Sequence, residues 1–244
     1  MITEPKIIFE DEELLVLDKP AGWIVNRSDT TKGAKTVQEW VEDYLEVSKG
    51  DTFPAFDVFN ARAGIVHRLD KETSGILLVA KTPDAFVNLQ SQFKERKVQK
   101  TYIALAHGKI EPTEGEINVA VGRLPWNRKR FGVLSGGREA ITQYKSLRSL
   151  QSTINNEPLT LVELYPKSGR THQIRVHLQY IKRPIFSDPL YAGRKTSRDD
   201  RKLLNRVFLH AAKISFLHPR SGETLRFESP LPEDLNSFLK TLST

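Results

Sequence analysis

The chain has 244 residues, of which 39% are hydrophobic and 27% are charged, a balance typical of globular proteins. Cysteine is absent, which excludes disulfides and thiolate zinc sites. The formal net charge of +7 favours a polyanionic partner, because clustered lysine and arginine side chains gain affinity by releasing counterions from phosphates.

The first part of the chain has the patterns of short strands. Two of them cover Lys6–Phe9 and Leu14–Leu17, and a turn at Lys19–Gly22 leads to a third at Trp23–Val25. The opening residues Met1–Lys6 lack the basic-then-apolar order of a signal peptide, and no apolar run approaches the length of a membrane span. We therefore expect a cytoplasmic protein.

The first helix signal is a capping box made by Thr36 and Glu39, followed by apolar residues at helical spacing up to Tyr44. Residues 48–62 read as a polar loop that glycine and proline interrupt. An apolar run at Ile76–Ala80 then predicts a buried strand.

A second helix is predicted to start near Pro83, and a strand resumes at Tyr102–Ala106. From residue 115 to 165 the pattern is mostly strands and turns. The better strand candidates in that region are Ile117–Val121, Ala140–Tyr144 and Leu159–Leu164.

The segment Thr171–Ile181 fits both periodicities, and its length together with an N-cap at Thr171 favours a helix. Two late strands at 207–217 and 223–227 precede a closing helix with apolar residues from Leu235 to Leu242. Strands outnumber helices without a regular βαβ series. This indicates a largely antiparallel or mixed sheet with peripheral helices.

The polar loop at 64–75 lies between two strand-like segments, which is a frequent position for rigidly held chemistry. Its Asp70 has two interpretations. The carboxylate could cap its own turn by accepting backbone N–H groups near Glu72 and Thr73, which is the commoner role of an aspartate in such a loop, or it could be a reactive group. His67 by itself is more typical of a hydrogen-bonded structural histidine.

Basic residues cluster at three places and have aromatic residues beside them. The clusters are Lys94–Lys100, Arg128–Arg130 and Arg194–Lys202, and the neighbouring rings are Phe93, Tyr102, Trp126, Phe131 and Tyr191. Positive charge combined with rings that can stack on bases favours a nucleic acid over a membrane surface.

The segment that reads His-Arg-Leu-Asp-Lys-Glu-Thr-Ser-Gly-Ile-Leu, from His67 onward, resembles the signature of the RluA-type pseudouridine synthases, which modify ribosomal and transfer RNA. Further motifs of that family stand before and after this segment in the expected order. They are Asp18–Gly22, Lys100–Tyr102, Ser168–Leu178, Asp188–Tyr191 and Leu209–Ala211. An ordered set of matches between about residues 14 and 230 is unlike chance agreement.

The resemblance implies an α+β pseudouridine synthase fold, with a central, mixed but mainly antiparallel sheet, peripheral helices and a basic cleft. It implies one catalytic domain over residues 1–244, made of two closely packed subdomains and lacking the S4-type RNA-binding domain of many relatives. The expected reaction isomerises a uridine of ribosomal or transfer RNA after base flipping, with no cofactor and no metal. We expect the protein to act as a monomer.

The same resemblance assigns four site residues. Asp70 is the essential catalytic carboxylate, which an arginine can hold ionised through a bidentate pair, and the resemblance names Arg170 as that partner. Tyr102 stacks on the flipped uracil, and Arg68 fills the space that the base leaves. Arg175 and the 128–130 cluster are expected to contact phosphates.

This chain departs from the family pattern at three positions: Asn26 replaces a usual histidine, Ser187 replaces a usual glycine, and Ala192 is inserted before Gly193. None of them is a predicted site residue, so they bear on substrate detail.

Three other functions fit parts of the sequence. A metal-dependent nuclease could combine Asp70 with His67, His172 or His177, although acidic residues do not cluster around these histidines. A catalytically silent RNA-binding domain could share the fold. A serine hydrolase is disfavoured, because the chain has no Gly-x-Ser-x-Gly elbow.

Overall fold

The computed structural model describes residues 3–28, 31, 33–45, 57–152 and 157–243. Its helices are α1 (Val37–Tyr44), α2 (Asp57–Ala61), α3 (Pro83–Lys94), α4 (Gln173–Tyr180), α5 (Arg194–Asp200) and α6 (Glu233–Lys240). Its strands are β1 (Lys6–Glu10), β2 (Leu14–Lys19), β3 (Ser74–Ala80), β4 (Gln99–His107), β5 (Glu114–Asn118), β6 (Val121–Arg123), β7 (Phe131–Val133), β8 (Ile141–Gln151), β9 (Pro158–Pro166), β10 (Leu209–Leu217) and β11 (Thr224–Glu228).

The chain divides into two compact units. The first unit contains Met1–Val98 and Lys213–Ser229, and the second contains Gln99–Ala212 and Pro230–Thr244. The boundary falls within β10, so this strand begins in the second unit and ends in the first.

In the first unit, β2 pairs antiparallel with both β1 and β3, and β10 pairs antiparallel with β11. Every residue of β3 is buried, which explains why its sequence from Ile76 to Ala80 is a continuous apolar run instead of an alternating one. Helix α3 buries Phe86 and Leu89 against Leu78 and Val16 of the strands. It begins with Pro83 at its first position and Thr82 as N-cap.

The predicted capping box at the start of α1 is confirmed. The backbone N–H of Glu39 donates to the Thr36 hydroxyl, and the Thr36 N–H donates to the Glu39 carboxylate. The predicted strand at Trp23–Val25 is reduced to an isolated bridge between Ile24 and Thr36. Part of the predicted loop at 48–62 is wrong, because 57–61 form α2, and residues 48–56 lie outside the described residues.

In the second unit, the strand order β4-β9-β8-β5 is antiparallel throughout. The predicted strand at 117–121 is interrupted after Asn118, and Val121 starts a separate hairpin of β6 and β7. A large core lies beneath this sheet, and α6 contributes Leu235, Phe238 and Leu239 to it, as the apolar spacing predicted.

The α+β class and the mainly antiparallel strand pairing are confirmed, with helices packed beside the strands. In the described residues, no helix is both long enough and apolar enough to cross a membrane. The single catalytic domain over residues 1–244 and the basic cleft stay predictions.

Candidate active site

The loop that carries Arg68 and Asp70 lies in the first unit, between the buried Val66 and the start of β3. Arg68 is exposed and Asp70 is half-buried. The backbone carbonyl of Asp70 accepts a hydrogen bond from the Thr73 N–H, 3.1 Å between N and O, which closes a tight turn directly before the strand. A half-buried carboxylate on a closed turn can be held in one orientation while it stays accessible to a substrate.

A buried lysine fixes this loop to the turn at residues 20–23. Lys19 is fully buried, and its Nζ donates to three carbonyl oxygens, those of Pro20 (3.0 Å), Trp23 (3.0 Å) and Lys71 (3.3 Å). An ammonium group has three donors, so it can bind several carbonyls at once. Sequence reasoning identified this lysine as part of a family turn but gave it no role.

The same turn makes a second contact with the Asp70 loop. The N–H of Gly22 donates to the Lys71 carbonyl over 2.8 Å, and Gly22 has φ +94°, a conformation that side chains other than hydrogen disfavour. Two sequence motifs about fifty residues apart therefore meet at one carbonyl, adjacent to Asp70.

His67 has a structural role in this loop. Its Nε2 accepts a hydrogen bond from the backbone N–H of Leu78 over 2.9 Å, and its ring lies 4.8 Å from that of Phe93. An Nε2 that accepts a hydrogen bond carries no proton, so the ring is in the Nδ1–H form. The turn therefore uses His67 to attach itself to β3.

Tyr102 and Arg170 lie in the second unit. Tyr102 is half-buried on β4, where it pairs with Leu164 of β9, and Arg170 follows β9 by four residues. Lys100, two residues before Tyr102, donates from Nζ to the Ser168 carbonyl over 3.3 Å. Its burial lowers its pKa to about 8. This lysine connects the strand that carries Tyr102 with the loop that carries Arg170.

A buried glutamine organises the Arg170 loop. The Oε1 of Gln173 accepts from the Arg170 N–H (2.9 Å) and from the Ser168 hydroxyl (2.8 Å), while its Nε2 donates to the Ile141 carbonyl (3.0 Å). Arg170 Nε donates to the Glu139 carbonyl over 3.1 Å, which orients the guanidinium plane. Gln173 was missed by sequence reasoning, although its position inside a family motif was a signal.

The predicted N-cap at Thr171 is wrong. Helix α4 begins at Gln173, whose N–H donates to the Arg170 carbonyl and closes a turn, and His172 within this turn has φ +57°, in the left-handed region. The His172 ring is fixed as well, because Nδ1 lies 2.9 Å from the Tyr191 hydroxyl.

The predicted phosphate contact of Arg175 is also wrong. Arg175 is buried and makes a bidentate ion pair with the fully buried Asp188, with Nε–Oδ2 and Nη2–Oδ1 distances of 2.7 and 2.9 Å. Asp188 Oδ1 also accepts the N–H groups of Leu190 and Tyr191. The pair therefore attaches α4 to the segment around residue 190.

Ser187, which stands where the family usually has glycine, adopts φ +63°. Two buried hydrogen bonds hold it there: its N–H donates to Asp200 Oδ2 (2.9 Å) and its hydroxyl donates to the Leu204 carbonyl (2.6 Å). This departure from the family pattern therefore preserves the backbone conformation that glycine would adopt freely.

The three histidines that a metal-dependent nuclease would need make contacts with other groups of the fold. His67 and His172 have the contacts above, and His177 Nε2 lies 3.2 Å from the Val119 carbonyl, with a pKa lowered by burial. Across the described ranges, no group of three or more histidine, aspartate and glutamate side chains has the arrangement of a metal site.

Comparison with known proteins identifies a family. A family model described as RNA pseudouridylate synthase matches residues 13–180. The ribosomal large subunit pseudouridine synthase D of Nitrosomonas europaea is 37% identical over 242 residues, which cover 97% of this chain and 65% of that protein. The protein of the same name from Neisseria meningitidis serogroup B is also 37% identical, and the match covers 97% of this chain and 60% of that protein.

A Bacillus subtilis protein with the name uncharacterized RNA pseudouridine synthase YlyB is 36% identical, with 97% of this chain and 72% of that protein covered. Among solved structures, human RNA pseudouridylate synthase domain containing 1 has a TM-score of 0.73 at 28% identity, covering 100% of this chain and 89% of the human chain. The order of motifs and these matches agree. The chain belongs to the RNA pseudouridylate synthase family.

Proposed function

We propose that this protein is an RNA pseudouridine synthase that isomerises one or more uridines of ribosomal or transfer RNA, with Asp70 as its essential carboxylate. The observation that supports this most directly is the anchoring of the Asp70 loop. Lys19 and Gly22 hold the carbonyl of Lys71, so the residue next to Asp70 is fixed from outside its own turn. Family membership supplies the reaction.

The reaction breaks the N1–C1′ bond of uridine, turns the uracil and joins its C5 to C1′. The C5 proton is lost and N1 gains one, so atoms and charge balance without oxidation or reduction. An ionised carboxylate can act at C1′, at C6 of the base, or on the C2′ proton. Each of these routes requires a charged and positioned group, which a closed turn favours over a mobile side chain.

Arg170 is the proposed partner of Asp70 and Tyr102 the proposed stacking ring, with Arg68 filling the space of the flipped base. The orientation of Arg170 by Glu139 and Gln173 supports this, because a fixed guanidinium forms a bidentate pair at little entropic cost. A neighbouring guanidinium also stabilises the ionised form of a carboxyl group. The proposal further includes a monomeric enzyme and a cytoplasmic location, where ribosomal and transfer RNA are available.

The test is to incubate purified protein with RNA from cells that lack it, and to map pseudouridine by carbodiimide-stop sequencing. Wild type is expected to add at least one site. Asp70→Asn keeps the size of the side chain but removes its charge, so modification should fall at least about a thousand-fold. Glu72→Gln removes a carboxylate from the same turn and serves as the matched control, with the wild-type map expected.

Identical maps for wild type and Asp70→Asn, with both proteins folded, would contradict the enzymatic proposal. They would indicate that the protein binds RNA on this fold without modifying it. Loss of modification in Glu72→Gln as well would show that the turn, and not the Asp70 carboxylate, limits the reaction.

A further inference from the structure

The tip of the β6–β7 hairpin is a preformed double turn. The N–H of Leu124 donates to the Arg130 carbonyl (3.0 Å), and the tip continues through Asn127 N–H to Leu124 carbonyl (3.2 Å) and Arg130 N–H to Asn127 carbonyl (2.9 Å). These bonds fix the backbone on both sides of Asn127. A ligand that binds this tip therefore meets an ordered surface.

Trp126 projects from this tip with 75% of its surface exposed. The other two tryptophans of the chain are held by neighbours: Trp23 is 4% exposed, and Trp40 stacks on Tyr44. An indole is a large apolar group with one polar atom, and exposing it to water is unfavourable. Such exposure on an ordered turn indicates a surface that binds a partner.

The charge around Trp126 identifies the kind of partner. Residues 121–138 contain five cationic side chains and no carboxylate. Arg128 and Lys129, directly after Trp126 and Asn127, are exposed. Two other cations are placed over rings at the base of the hairpin, Arg123 over Phe131 at 5.1 Å and Arg130 over Tyr191 at 5.3 Å.

An exposed ring beside exposed cations fits a single-stranded nucleic acid, whose bases stack on the ring while its phosphates contact the cations. Binding of an apolar protein surface would be unfavourable here, because each cation would lose its hydration on burial without gaining a partner of opposite charge.

The hairpin is connected to Arg170, a predicted active-site residue of the same unit. Val121 exchanges two backbone hydrogen bonds with Arg138, and the next carbonyl, that of Glu139, accepts from Arg170 Nε. On its other strand, the Phe131 N–H donates to the Tyr191 hydroxyl, which also contacts His172. The tip and the Arg170 loop therefore share one hydrogen-bonded framework.

We propose that Trp126 stacks on an unpaired base that flanks the target uridine, with Arg128 and Lys129 on the neighbouring phosphates. This inference rests on the proposed function for the identity of the RNA, and it assigns to the hairpin tip a selection for unpaired over duplex RNA. A stacked indole needs an accessible base face, which a continuous duplex does not offer.

The experiment measures binding of fluorescein-labelled RNA to the full chain by anisotropy, with a uridine-containing stem–loop and a fully paired duplex of equal length as probes. Trp126→Ala is expected to raise the Kd for the stem–loop about 5- to 150-fold and to leave that for the duplex unchanged. Trp126→Phe keeps a ring and should bind within about threefold of wild type. Tyr180→Ala removes another exposed aromatic side chain and is the matched control, with the wild-type Kd expected.

Salt titration separates stacking from charge. The double variant Arg128→Gln, Lys129→Gln should flatten the slope of log K against log salt by about 0.7 to 0.9 per charge removed, whereas Trp126→Ala should leave the slope unchanged. Equal stem–loop binding by Trp126→Ala and wild type would overturn the proposal and indicate a protein or membrane partner for the tip. An equal loss in Tyr180→Ala would overturn it as well.

Pseudouridine mapping with the wild type keeps this proposal distinct from the function on which it rests. If the wild type modifies no RNA but Trp126→Ala still weakens stem–loop binding, the enzymatic proposal fails and the stacking role stands. If the wild type modifies RNA and Trp126→Ala does so with unchanged KM, the stacking role fails alone.

Discussion

At the scale of single residues, Lys19 places a positive charge at a fully buried position of the first unit. Its ammonium group donates to the three backbone carbonyls described above. Burying a charge is costly unless hydrogen bonds compensate it. Stability at this position therefore depends on two loops, those around residues 20–23 and 71, which present their carbonyl oxygens to the ammonium group.

Replacing Lys19 with methionine is expected to lower the free energy of unfolding by about 2 kcal/mol, because buried carbonyl oxygens lose their donor while the desolvation cost of the charge is removed. Urea denaturation followed by circular dichroism measures this. Lys71→Met is the control, since the exposed side chain of Lys71 is lost while the carbonyl that Lys19 binds stays. A Lys19→Met protein as stable as the control would show that the three hydrogen bonds contribute nothing net.

Lys100 gives a pH-dependent prediction. Its folded-state pKa is lowered to about 8 by burial from an ordinary value of 10.5, so between these values the unfolded chain binds more protons than the folded one. Stability therefore rises with pH in this window, and below about pH 8 the charged form disfavours folding by up to about 3 kcal/mol. Urea denaturation of wild type and Lys100→Met at pH 7 and pH 10 should show that the variant gains stability relative to wild type at pH 7. A difference that does not change with pH would contradict the lowered pKa.

At the scale of elements, α4 depends on contacts outside itself. Its N-cap residue, His172, makes no side-chain capping hydrogen bond, and Gln173 and Arg175 use their side chains to bind the Ile141 segment and Asp188. A short helix has little stability of its own, so these tertiary contacts decide where it begins. The orientation of Arg170 depends on them in turn.

Asp188→Ala is expected to destabilise the protein by about 3–5 kcal/mol, since it leaves the buried Arg175 guanidinium without its carboxylate. Removing Asp199, whose pairs with Arg198 and Lys202 are exposed and screened by water, should destabilise the protein far less. Thermal unfolding of both variants tests the difference. Equal losses would show that burial adds nothing to the Arg175–Asp188 pair.

The elements whose determinants are local were predicted well. The capping box of α1, the buried strand β3, the start of α3 at Pro83 and the apolar face of α6 all depend on residues within a few positions of one another. Helix α5 was not predicted, because its polar sequence has no apolar periodicity.

At the scale of the whole molecule, the proposed reaction needs only the carboxylate, the stacking ring and cations of the chain. Pseudouridine formation is therefore expected to persist in EDTA when potassium chloride maintains the RNA fold. The assay compares the carbodiimide map with and without EDTA, using an RNA whose fold is checked separately. Loss of activity on a correctly folded RNA, with recovery on adding a divalent cation, would favour a metal-dependent mechanism.

The positive charge of the chain is also a property of the whole molecule. At +7 it supplies a sequence-independent attraction for RNA, and this attraction weakens as salt rises. Selection among uridines therefore requires specific contacts with the RNA, and we propose that the hairpin tip with Trp126 makes one of them.

The sequence by itself determined the family, the identity of Asp70, Arg68, Tyr102 and Arg170 as candidate residues, and most of the strands. Motif order and short-range periodicity are properties of the linear chain, so one sequence is enough to read them. It also indicated an RNA partner, because net charge and the positions of aromatic residues can be read from the sequence alone.

Only the tertiary structure decided what surrounds these residues. Lys19 reaches Lys71 across 52 positions, Gln173 reaches Ile141 across 32, and Arg175 pairs with Asp188 and not with a phosphate. A buried polar group must find a partner, but many partners of suitable chemistry exist along a chain. Which partner it contacts depends on the packing of segments distant in the chain, and the local sequence does not specify that packing.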